Sequence, residues 1–154
     1  MRFNTCCFIG PKAFRRDKLP EILEKTRREV IKLAEEGIRN FVSAGLTGFD
    51  AICCLAVLHA KEKIPELRLI CIVPKEKYLF HGYGVDRKRM EYICEHADEL
   101  VVCDAGPSER MEKRTRQMVK KAAVCLAYLP RFEDGTEKRF RYAISCGLEC
   151  RMIK

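Results

Sequence analysis

Asn40-Phe41-Val42-Ser43-Ala44-Gly45-Leu46-Thr47-Gly48-Phe49-Asp50 runs from a short apolar strand, through a turn of small residues, into a largely apolar helix over residues 49–63. A strand that feeds a helix through a glycine turn is the building unit of a parallel sheet, because parallel strands need a crossover between them. The unit recurs along the chain. Upstream, residues 3–9 form a strand-like run closed by Gly10-Pro11, and beyond the basic stretch 12–18 comes a helical rhythm of Leu19, Ile22, Leu23, Val30, Leu33 and Ala34 that stops at Gly37. Downstream, strands are expected at 67–73, 99–103, 123–129 and 149–153. Helices are expected at 86–97 and 108–121, with a last one carrying Phe140, Ala143 and Ile144 before Gly147. Six strands alternating with helices predict one α/β domain over residues 1–154. Its form is a Rossmann-like, doubly wound, mainly parallel sheet with helices on both faces.

The chain has 154 residues, of which 47% are hydrophobic and 34% charged, which suits one core rather than two. No apolar run approaches the length of a bilayer span, and the N-terminus moves straight into a strand without a leader pattern, so the expectation is a cytoplasmic protein with no membrane partner. Ten cysteines invite a disulfide or metal reading, but there is no Cys-x-x-Cys, and His59, His81 and His96 form no zinc spacing with them. Their positions inside strand and helix patterns predict reduced core thiols and no metal. The net charge of +8 gathers in 12–18, 75–89, 110–121 and 138–141, which is compatible with nucleic acid, a membrane surface, an anionic small molecule or simply a solvated basic surface, and charge alone does not choose among them.

In such sheets ligands bind beyond the carboxyl ends of the strands, where helix N-termini present free N–H groups. Gly10, Gly45, Gly48, Gly106 and Gly135 all fall there. The turn Ser43 to Asp50 joins a hydroxyl, glycines and a carboxylate at one helix start, although Thr47 and Asp50 also have the spacing of a capping box. Asp134-Gly135-Thr136 opens the last helix in the same way, with Asp134 and Glu137 spaced as a capping pair. Two helix starts facing one crevice imply a phosphate-bearing ligand, and Asp134 is then expected to repel it.

Taken together these turns resemble the YpsA-like branch of the SLOG superfamily, Rossmannoid proteins related to the LOG phosphoribohydrolases and to DprA. Ile9-Gly10-Pro11-Lys12 stands where that family has a Thr-Gly-His-Arg-like turn. Ser43 to Asp50 is similar to its Ser-Gly-Gly-x-x-Gly-x-Asp loop, Arg114 to Val119 to its Arg-Asn-x-x-Met-Val helix, and Asp134-Gly135-Thr136 with Tyr142-Ala143 to its closing loop and helix. The resemblance implies binding or sensing of a nucleotide or nucleotide-sugar, with no further cofactor. The expected ligand-binding residues are Gly10, Lys12, Ser43, Gly45, Thr47, Gly48, Asp50, Arg114, Gly135 and Thr136. An alternative is a nucleotide N-glycosidase in which Asp50 or Glu76 assists the leaving base. A second alternative takes the basic helix 110–121 as a face for single-stranded nucleic acid, with Tyr78, Phe80 or Tyr83 as stacking platforms. A homo-oligomer is compatible with all three.

Overall fold

The computed structural model describes residues 2–13, 15–75, 87–103, 110–130 and 135–154. Six strands, β1 (Thr5–Ile9), β2 (Asn40–Ser43), β3 (Arg68–Val73), β4 (Glu99–Val102), β5 (Val124–Ala127) and β6 (Glu149–Met152), form one sheet in the order β4-β3-β2-β1-β5-β6. Every neighbouring pair is parallel. The helices are α1 (Leu19–Glu35), α2 (Gly48–Lys61), α3 (Arg87–His96), α4 (Arg110–Lys120) and α5 (Thr136–Ser145). The expected Rossmann-like α/β architecture is therefore present. The first strand starts later than its apolar run, because Arg2–Asn4 coil into a 3-10 turn.

Period-two side-chain alternation with apolar residues at both parities forces the sheet to be covered twice. On one face Phe8, Phe41, Leu69 and Cys71 pack with Ile22, Val30 and Leu33 of α1, Phe49, Ile52 and Val57 of α2, and Met90 and Ile93 of α3. On the other, Cys7, Ile9, Val42, Ile72, Cys125 and Ala127 pack with Met118 and Val119 of α4 and Ala143 of α5. The Phe8 and Phe41 rings lie nearly parallel at 6.0 Å, diagonal neighbours across β1 and β2. Each such ring removed from water contributes roughly 2–3 kcal/mol.

The chain lays down β1 to β4 outward in one direction and then returns, so that β5 pairs with β1 on its other side. Between β1 and β5 the winding reverses, and the helices that follow them leave on opposite faces. Such a reversal opens a crevice beyond the strands' carboxyl ends, here beyond the registered pair Ile9 and Ala127. Among the described residues no helix is long and apolar enough to cross a membrane.

Candidate functional site

The loop leaving β1 is set first. Gly10 packs so closely on α2 that a Cβ there would overlap the Phe49 ring. The carbonyl of Pro11 accepts a hydrogen bond from the Phe49 N–H at 3.0 Å, and Gly48, with φ +57, turns beneath the Pro11 and Lys12 carbonyls, where a Cβ would collide with both. The N-terminus of α2 is thus partly occupied by the protein's own backbone.

The turn after β2 is tied internally as well. The Ser43 hydroxyl donates to the Gly45 carbonyl at 2.6 Å and accepts from the Gly45 N–H at 3.3 Å, while Arg114 Nε reaches from α4 to donate to the Ala44 carbonyl at 2.7 Å. Thr47 is the N-cap of α2, yet no side-chain hydrogen bond caps the helix, so the capping box expected of Thr47 and Asp50 does not form. Asp50 turns inward instead. It is 6% exposed, its Oδ2 lies 2.7 Å from where a Gly45 Cβ would stand, and its Oδ1 has no hydrogen-bond partner among the described residues. Burial raises its carboxyl to about 6, against the opposing pull of Arg139, Arg114 and Lys12.

Gly135 is the N-cap of α5, in the left-handed region at φ +87, with nothing within 4 Å of a would-be Cβ. No side-chain hydrogen bond caps this helix start; Asp134, and with it the capping pair expected of Asp134 and Glu137, lies outside the described residues, as do Glu76, Tyr78, Phe80, Tyr83 and Gly106. Arg139, one turn into α5, donates from Nη2 to the Gly10 carbonyl at 2.9 Å and to the Thr136 hydroxyl at 3.4 Å, which joins the β1 loop to the α5 start. Its Nη1 is buried without a hydrogen-bond partner among the described residues.

A cavity of about 440 Å³ opens over this junction, lined by Lys12, Met111, Glu112, Thr115, Arg116, Gly135, Lys138, Arg139 and Tyr142. Four cations stand against one carboxylate, Glu112, which pairs with Arg116 at 2.7 Å. The α5 N-terminus adds its own positive end. Of the residues named from sequence, Lys12 and Gly135 line this cavity. Gly10 and Thr136 hold the lining Arg139 by hydrogen bonds and Gly48 packs on the Lys12 backbone, whereas Ser43, Gly45, Thr47, Asp50 and Arg114 belong to the β2 turn and its supports and do not line the cavity. Lys138, Arg139 and Tyr142 were not singled out as ligand contacts, although 135, 138, 139 and 142 follow the i, i+3, i+4, i+7 spacing of one helical face. On α4, Met111 and Thr115, then Glu112 and Arg116, repeat the four-residue step. Helical spacing drawn from a suspected anion-binding glycine is the signal that finds them.

Neither protein-family models nor curated protein sequences give a match. Among solved structures, the molybdenum cofactor carrier protein of Chlamydomonas reinhardtii is similar at a TM-score of 0.60 and 13% identity, over 98% of this chain and 76% of that one. At that identity the likeness is one of fold.

Proposed function

We propose that the chain binds or senses a nucleotide-derived, phosphate-bearing small molecule in the cavity at the β1/β5 switch point. The observation that carries the reading is the convergence of Lys12, Lys138 and Arg139 with the N-terminus of α5 on one cavity of about 440 Å³, a size suited to a nucleotide. The phosphate sits against the α5 start between Lys12 and Lys138, and the Tyr142 ring and Met111 offer an apolar wall to a planar base. The similarity of fold to a protein described as a cofactor carrier supports a task of holding a small molecule. The turn motifs support membership of the YpsA-like SLOG branch.

Sulfate or phosphate at millimolar concentration is expected to raise the melting temperature well beyond chloride at equal ionic strength. Equal shifts would mean that salt merely screens the basic surface, and the cavity reading fails. A second reading, N-glycosidase chemistry, is favoured by Asp50, whose carboxyl near 6 suits proton exchange. Release of free base from nucleoside monophosphates, lost in Asp50→Asn, is its test.

A further inference from the structure

The opposite edge of the sheet carries a second basic groove. Thr5, Asn40 and Arg68 stand side by side in register on β1, β2 and β3, forming a polar row at the amino ends of three adjacent strands. They face the layer of α4 and α5. Among the described residues that layer has two helices, and α4 ends at Lys120, so exposed Arg68 and half-buried Asn40, with buried Thr5 beside them, floor a groove of about 440 Å³ with Val42 and Ile70 behind it. Arg2, Arg68, Lys120 and Lys121 form the rim.

The charge here is poorly balanced. Arg68 meets Glu99 only at 3.8 Å, and Arg2 Nε donates to the Ala122 carbonyl at 3.4 Å rather than to a carboxylate. Lys120 and Lys121 make no ion pair among the described residues. A lysine at the end of α4 complements the helix dipole, but that does not account for Arg2 and Arg68, which belong to other elements. Gathering like charges around a concave, partly apolar floor raises the local potential and favours a multivalent anion.

The width of the groove selects the anion's shape. The row from Thr5 to Arg68 crosses two strand spacings, about 10 Å between backbones, with Arg68 on β3 and with Arg2 held to Ala122, whose neighbour Ala123 bonds the Thr5 carbonyl on β1. A chain of linked phosphates can engage more of these cations at once than a single phosphate can. We propose that this groove is a second anion site, separate from the switch-point cavity, and that it takes a chain of linked phosphates, inorganic or the triphosphate of a nucleotide.

The test is calorimetric titration of the full chain with inorganic tripolyphosphate, with a nucleoside triphosphate, and with inorganic phosphate. The variants are Lys120→Gln with Lys121→Gln, and Lys138→Ala in the switch-point cavity. Tripolyphosphate is expected to bind the groove, to lose affinity about tenfold or more in the Lys120/Lys121 variant, and to keep that affinity in Lys138→Ala. Similar groove affinity for the nucleoside triphosphate means that phosphates alone are read, and tighter binding means that the nucleoside is read too. If the switch-point reading is wrong, the groove still binds tripolyphosphate, and Lys138→Ala leaves the binding of inorganic phosphate unchanged as well. Binding unchanged by Lys120→Gln with Lys121→Gln overturns the proposal, as does inorganic phosphate occupying the groove as tightly as tripolyphosphate. Neutral glutamines keep a polar side chain only one atom shorter, and the melting temperature of the variant shows whether it folds. If that variant melts early, Arg68→Gln makes the same test from the far side of the groove.

Discussion

Asp50 shows how a residue's type can be legible while its role is not. Its spacing with Thr47 speaks for a cap, and only the packed turn reveals that the carboxylate points inward under Gly45. Because its folded pKa, about 6, lies above the ordinary 3.8, the native state holds the proton more tightly than the unfolded chain. The stabilising effect of that proton is complete below about pH 4 and is lost as the pH rises through about 6. Asp50→Asn is therefore expected to stabilise the ligand-free protein near pH 8, by on the order of 3 kcal/mol at most, with the advantage vanishing near pH 4. Urea midpoints at both pH values check it. Gly48→Ala combines a positive φ with collision against the Pro11 and Lys12 carbonyls, and should cost about 2–4 kcal/mol. A melting temperature lowered by only a degree or two would show that the β1 loop yields easily.

At the scale of elements, the six strands and five α-helices among the described residues were readable in the sequence, because apolar periodicity of two or of 3.6 dominates each segment and glycine or proline punctuates most joints; the 3-10 turns Arg2–Asn4 and Arg16–Lys18, too short to carry a period, were not. The cavity was only half readable. Backbone turns announce themselves through glycine, whereas Lys138 and Arg139 are two among many basic residues in the chain, and only the docking of α5 beside the β1 loop distinguishes them. Lys138→Ala should weaken sulfate or phosphate binding about tenfold while leaving stability within about 0.5 kcal/mol, as befits an exposed side chain. Arg139→Ala should weaken both, since it also removes the bonds to Gly10 and Thr136. A Lys138 variant that binds as the parent does would move the anion away from the α5 start.

For the molecule as a whole, the cysteines report on how closed the core is. Cys6, Cys7, Cys53, Cys54, Cys71, Cys103 and Cys125 are buried, Cys94 and Cys150 are half-buried, and Cys146 is exposed at the end of α5. Burial also pushes the Cys6 and Cys53 thiols up, away from the reactive thiolate. A thiol reagent under native conditions should label Cys146 rapidly, Cys94 and Cys150 slowly, and the seven buried thiols only on unfolding. Rapid native labelling of more than one thiol would mean that the sheet opens far more readily than its packing implies. The order of the strands bears on how the chain is made. β1 leaves the ribosome first, yet Cys6 and Cys7 must await Val124 and Cys125 before that edge is paired. A nascent chain ending after β4 can assemble β1 to β4 but leaves the β1 edge and much of one apolar face bare. The seam that carries the switch-point cavity thus closes late in synthesis, followed only by the pairing of β6 on β5, and the interval before β5 emerges is when a chaperone has most to shield.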